Sequence, residues 1–208
     1  MSNKISRRTF LKCTGLSAAA IGAAAVLGGC QVSESGASVT VKVGDKISNW
    51  NNLAVQLSSV FNLPAETDAA GYKYIAVLVT AANLSTTSTY AIGAQNIVEI
   101  DAAYPLTDEA TKAANIVNYF HALSAATTDF SASCDGQAIE SGAYVNLYDS
   151  TSQTFSDSPN MPPRTSGYIE LVCMVPENWQ ELTVVYTPTF VNDRTLTFTL
   201  KSSDVSQS

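Results

Sequence analysis

The chain has 208 residues, 11 of them basic and 18 acidic. Four of the basic residues, Lys4, Arg7, Arg8 and Lys12, lie near the N-terminus and every acidic residue lies after residue 30, so residues 30–208 carry seven basic against 18 acidic side chains, a formal charge of −11. That balance excludes a nucleic-acid surface and direct adhesion to anionic lipid head groups, one histidine excludes a histidine-rich zinc site, and the length after residue 29 is enough for one domain with its own core.

The positive N-terminal region is followed by a mildly apolar stretch, Leu16 to Leu27, too short to span a hydrocarbon core of about 30 Å as a helix. Ser6-Arg7-Arg8-Thr9-Phe10-Leu11-Lys12 matches the twin-arginine signal motif, with Arg7, Arg8, Phe10 and Leu11 as its defining residues, and the alanine- and glycine-rich run after it suits that route. Leu27-Gly28-Gly29-Cys30 resembles the bacterial lipobox, in which the cysteine is acylated and becomes the new N-terminus. The expectation is therefore a signal peptide over residues 1–29, a lipid on Cys30 and a short flexible tether through Ala37. Two or three acyl chains on Cys30, each CH₂ contributing about 0.8 kcal/mol, make a stable membrane anchor.

Beyond the tether the apolar period is two. Val39, Val41 and Val43 alternate with polar residues, as do Leu53, Val55 and Leu57. Tyr72 to Asn83 is a longer and nearly continuous apolar strand, and Tyr90 to Ile100, Ala143 to Tyr148, Gly167 to Val175, Glu181 to Thr187 and Thr195 to Leu200 complete about eight strands. Thr107 to Ser124 breaks the pattern: Thr107 is an N-cap candidate, Asp108 and Glu109 complement the helix dipole, and Val117, Phe120 and Ser124 share a stripe. Thr127 to Gly142 and Ser150 to Thr165, the latter holding Pro159, Pro162 and Pro163, read as loops. These elements predict an all-β chain, an antiparallel sandwich of seven to eight strands over residues 38–202 with one inserted amphipathic helix at about 107–124, and a disordered tail at 203–208.

The strand Gly71 to Asn83 (GYKYIAVLVTAAN), with Gly167 to Pro176 (GYIELVCMVP) and Leu182 to Tyr186 (LTVVY) downstream, resembles an uncharacterised Ig-like, telokin-like domain family common in lipoproteins and secreted proteins of Gram-positive bacteria. The resemblance implies an Ig-like sandwich, makes the helix an insertion and transfers no catalytic residue.

Few residues offer chemistry. His121 is the one histidine available as a base, stands beside Phe120 and lacks a Gly-x-Ser-x-Gly elbow, so it reads as a packing histidine. Of four cysteines, Cys13 leaves with the signal and Cys30 takes lipid; Cys134 and Cys173 read either as a disulfide of an oxidising compartment or as buried small hydrophobes. Glu99 and Asp101, two apart on a predicted strand, share a face without forming a catalytic pair. Asp129, Asp135 and Asp149 lack the spacing of a calcium loop, and no metal or other cofactor is expected. Trp50, Trp179 and nine tyrosines are the material for a recognition surface, although a tryptophan at Trp179 more often closes the end of a core.

The expected function is a membrane-anchored extracytoplasmic lipoprotein on the outer face of the cytoplasmic membrane, not an enzyme. It would bind a cell-envelope protein or glycan through end loops and meet the twin-arginine export machinery during translocation. The alternative is an enzyme acting on envelope polysaccharide. A solute-binding protein of two α/β lobes is excluded by the length and the scarcity of helix.

Overall fold

In a computed structural model, residues 38–63, 71–106, 110–149, 151–152 and 154–205 are described. The signal motif, Cys30, the tether and the proposed N-cap Thr107 lie outside them. The elements are β1 (Ser38–Lys42), β2 (Lys46–Trp50), β3 (Leu53–Asn62), β4 (Tyr72–Asn83), β5 (Tyr90–Ala91), α1 (Ile97–Ala103), α2 (Lys112–Ala126), β6 (Phe130–Cys134), β7 (Gln137–Ile139), β8 (Ser141–Asp149), β9 (Thr154–Ser158), β10 (Asn160–Met161), β11 (Ser166–Pro176), β12 (Glu181–Tyr186) and β13 (Thr195–Lys201), then a 3₁₀ turn Ser202–Asp204.

The strands form a six-stranded sheet, β2-β3-β4-β11-β8-β9, and a five-stranded sheet, β1-β13-β12-β6-β7, with β10 and β5 paired separately. Inward residues alternate along each strand, as the period of two requires. Ile75, Val77 and Val79 of β4 and Leu171 and Val175 of β11 meet Val39 and Val41 of β1, Val184 of β12 and Phe198 of β13 in one continuous core. The pairing is antiparallel except that β1 runs parallel to β13, Val39 opposite Leu196 and Val41 opposite Phe198.

The chain changes sheets at defined points. β1 belongs to one sheet and β2 to the other, and between them Gly44, at φ 87°, donates to the Leu57 carbonyl at 2.8 Å. β7 runs on through Glu140 into β8 of the opposite sheet, where the Glu140 carbonyl accepts from Met174 N at 3.2 Å. At the C-terminus Val205 bridges in parallel to Val60 of β3, so residues 203–205 of the expected tail are structured.

The sandwich is the one expected, with corrections to its parts. Tyr90 to Ile100 is not a strand: β5 stops at Ala91, Gly93 takes a left-handed φ of 68°, and α1 begins at Ile97. The helix expected at about 107–124 is α2, which runs from Lys112 to Ala126, and α1 is a second helix in the segment expected as a strand. Both lie on the outer face of the six-stranded sheet, where Ile97, Ile100, Phe120 and Leu123 pack on Tyr74, Tyr144 and Val172. The Phe120 ring meets Tyr74 edge-on at 4.8 Å, and Gly142 leaves the space that Leu123 fills. The segments expected as loops hold β6 and β7 and, further on, β9 and β10. No helix of the described residues is long and apolar enough to cross a membrane.

Candidate functional site

At one end of the sandwich, four chain segments bring an acid and a set of aromatic rings together. The first is the turn after β2. Asn51 and Asn52 are both left-handed, at φ 51° and 65°, a conformation that asparagine tolerates better than most residues, and Asn52 N donates to Asn49 Oδ1 at 2.8 Å. This turn fixes Trp50, which is buried, and directs the Asn51 carbonyl to Tyr90, whose hydroxyl donates to it at 3.0 Å. The second segment is β5 with Gly93. A Cβ on Gly93 would lie 2.3 Å from the Ala143 carbonyl oxygen, so glycine is required by space as well as by φ.

The third segment leads into β6. Asp129 is buried, and both its carboxylate oxygens accept from Gly93 N, at 3.1 and 3.3 Å. Its own carbonyl accepts from Thr187 N at 2.8 Å, which ties it to the fourth segment, the connection after β12. Tyr186 ends β12. Its ring stacks on Phe130 at 4.4 Å and lies 6.4 Å from Trp50 and 6.5 Å from Phe190, while Phe190 stacks on Tyr90 at 4.0 Å.

The electrostatics of this end are those of a dry place. Burial raises the Asp129 carboxyl above its ordinary range, against the lowering effect of the Gly93 N–H. Burial, helped by the neighbouring Asp129 and Tyr90, raises the Tyr186 hydroxyl well above the usual tyrosine range. Three polar atoms here are buried with no hydrogen-bond partner among the described residues: Trp50 Nε1, Asn51 Nδ2 and Tyr186 Oη. Each can donate, and buried donors in native proteins are nearly always satisfied.

The residues singled out in the sequence fall elsewhere or change role. His121 is about half exposed rather than packed, with Nδ1 3.0 Å from Glu140 Oε2. The step between Phe120 and His121 on α2 carries one ring inward and the other to solvent. Glu99 and Asp101 lie on α1, where residues two apart diverge, so they share no face. The three aspartates do not converge: Asp129 holds Gly93, Asp135 accepts from Gln180 N and from Glu181 N (2.8 Å from Oδ1), and Asp149 closes a turn with Thr151 N and Ser152 Oγ. No group of three or more metal-ligating side chains occurs among the described residues.

Cys134 and Cys173 are both buried and both free, so the small-hydrophobe reading describes this structure and the disulfide does not. Burial pushes the Cys134 thiol up to about 11, with Asp135 adding to the effect, and the Cys173 thiol to about 12, with Cys134 adding to it. Trp179 closes the opposite end of the core, as expected, and Trp50 is equally buried, so neither ring belongs to an open recognition surface. The convergence of Trp50, Asn51, Asp129 and Tyr186 was hidden because 135 residues separate its first and last members. The Asn-Asn pair after Trp50 was its one local signal.

No family model matches the chain, and no curated protein matches it. Two solved structures are similar to it. One is an uncharacterized β-sandwich protein from Clostridium difficile 630, 13% identical over 78% of this chain and 93% of that one, with a TM-score of 0.42. The other, from Bacillus subtilis subsp. subtilis strain 168, is described as a candidate lipoprotein; it is 13% identical over 74% of this chain, with a TM-score of 0.43. The chain spans 38% of that second protein's length.

Proposed function

We propose that the protein is an extracytoplasmic lipoprotein, exported by the twin-arginine route and held to the cytoplasmic membrane by acyl chains on Cys30, and that its β-sandwich is a non-catalytic binding module for a cell-envelope component. The observation that carries the anchor is the succession of Ser6-Arg7-Arg8-Thr9-Phe10-Leu11-Lys12, an apolar run and Leu27-Gly28-Gly29-Cys30 within one short stretch. The binding part is supported by the end of the sandwich around Asp129, where loops held by a rigid scaffold gather aromatic rings and donors. Asp129 stands there as a single acid held by a backbone N–H, whereas hydrolysis of a glycosidic bond uses two carboxyl groups flanking the bond.

Cys30→Ala tests the anchor. The variant moves from the membrane fraction to the soluble fraction, and unchanged partitioning rejects the proposal. Arg7→Lys with Arg8→Lys halts export; normal export removes the twin-arginine route from it.

A further inference from the structure

We infer that the sandwich seats on the membrane by one end, the end that carries Leu84, Phe190, Arg164 and Arg194, so that the lipid surface is the envelope component this end meets. The inference deepens the binding reading and rests on the Cys30 anchor proposed above; anchorage and orientation have separate readouts.

The chain enters the domain at this end. β1 begins at Ser38, whose Oγ accepts from Thr195 Oγ1 at 3.0 Å, and Thr195 follows Arg194 where the β12–β13 connection closes. Residues 31–37 separate Ser38 from Cys30, a span of at most about 29 Å at full stretch. With Cys30 held in the bilayer, the near end can rest on the surface at any extension of that segment. The far end can do so only if the tether also runs back along β13, about 20 Å, and past the Ser202–Asp204 turn. Seating by the far end therefore stretches the tether close to its limit and costs it conformational freedom.

The side chains at the near end suit a head-group interface. Leu84 is exposed, and its N–H donates to the Asn52 carbonyl at 2.8 Å. The neighbouring Asn51 carbonyl holds the Tyr90 hydroxyl, and Phe190 stacks on the Tyr90 ring, so Leu84 and Phe190 belong to one row. Phe190 and Val191 are half-buried and offer apolar surface without opening the core. Tyr72 and Val98, the other exposed large apolar side chains among the described residues, stand at the far end and on α1. Arg164 and Arg194 are the two arginines after residue 8, and both lie at the near end, Arg164 exposed in the turn before β11 and Arg194 beside Thr195. A guanidinium pairs with two phosphate oxygens in a fixed fork, which an ammonium does not.

The contact is one that an untethered domain does not hold. Residues 30–208 carry a formal charge of −11, and at the near end Asp149 and Asp193 stand against the two arginines, so that end is balanced rather than basic. Balance lifts the repulsion of anionic lipid without supplying a strong attraction. A basic side chain near a bilayer is worth about 1 kcal/mol. A short tether holds the end at an effective concentration of about millimolar, enough to populate so weak a contact.

The native thiols leave the surface clear for a label, since Cys134 and Cys173 are buried and Cys30 carries lipid in the proposed anchor. Thr87→Cys at the near end and Asn178→Cys at the far end, both exposed positions, are each labelled with bimane on the lipidated protein purified from membranes. Each protein is reconstituted in vesicles of phosphatidylcholine and phosphatidylglycerol in which a fraction of the head groups carries a nitroxide quencher. Flotation with the vesicles reads the anchor, and its loss removes the anchor and this inference with it. In floating protein the length of the sandwich, about 30 Å, makes quenching at Thr87→Cys at least about threefold greater than at Asn178→Cys. Leu84→Glu with Arg164→Glu places like charge against the lipid phosphates and lowers the Thr87→Cys quenching at least about twofold. The same pair leaves flotation and the Asn178→Cys quenching unchanged. Equal quenching at the two labels, greater quenching at Asn178→Cys, or Thr87→Cys quenching that survives the double substitution overturns the inference while the anchor stands.

Discussion

Asp129 and the two thiols show how burial sets chemistry at single residues. The Asp129 carboxyl is raised above the ordinary value of about 3.9, so the folded chain holds its proton more firmly than the unfolded chain does. Its contribution to stability is therefore fully present below the ordinary value and is lost as pH rises through the raised one. Asp129→Asn removes that dependence while leaving an acceptor for Gly93 N. Melting temperatures measured from about pH 4 to 7 fall less with rising pH in the variant than in the parent, and parallel curves contradict this account. Cys134 and Cys173, at about 11 and about 12, are thiols rather than thiolates at pH 8. At most about a thousandth of either is then reactive, and burial slows it further. Iodoacetamide leaves both unmodified in the native protein and alkylates both in guanidinium chloride; prompt labelling of the folded chain would show the core to be open. Which of the two cysteine readings holds was not legible in the sequence, because Cys134 on β6 and Cys173 on β11 belong to different sheets and only the packing of the sheets decides their approach.

Among the elements, the strands that supply the core announced themselves, the edge strand β1 included, and the short strands β7 and β9 did not. Val39 and Val41, Leu53, Val55 and Leu57, and the apolar run of β4 all point inward as their spacing requires. β9, Thr-Phe-Ser-Asp-Ser, and β7, Gln-Ala-Ile, are short and polar because each lies at the margin of its sheet, where one face and one edge meet solvent. Each is joined by a short hairpin to the strand just before it, β7 to β6 and β9 to β8, but neither carries an alternating apolar run of its own, so composition alone reads them as loop. The error at Tyr90 to Ile100 has a different cause. Apolar content matched a strand, but Gly93 breaks the extended backbone and Ile97 with Ile100, three apart, form the buried face of a helix. Both glycines near this layer are fitted to their surroundings. Gly93→Ala places a methyl against the Ala143 carbonyl at a left-handed φ and costs more than about 2 kcal/mol, since backbone cannot yield. Gly142→Ala meets the Leu123 side chain, 2.6 Å from its Cγ, and costs about 1–3 kcal/mol by displacing α2. Chemical denaturation ranks the two; a Gly93→Ala protein as stable as the parent would mean that this end of the sandwich is loosely held.

For the molecule as a whole, the sequence was most explicit where no sheet is involved. Signal and acylation motifs are read by other proteins as linear text, so seven residues around Arg7-Arg8 and four ending in Cys30 suffice to suggest where the protein works. The fold class followed from periodicity, whereas the order of strands, the parallel β1–β13 pair and the passage of β7 into β8 depend on contacts distant in sequence. The end around Asp129 is the extreme case, since it exists only once both sheets and the turn after Trp50 are in place. The proposed anchor on Cys30 would stand a few residues before β1, which begins at Ser38. Intact mass spectrometry of the protein isolated from membranes tests it most directly. The account predicts a chain lacking residues 1–29, with Cys30 as its N-terminal residue and two or three acyl chains on it; a chain that keeps residues 1–29, or begins at Cys30 without lipid, would contradict it.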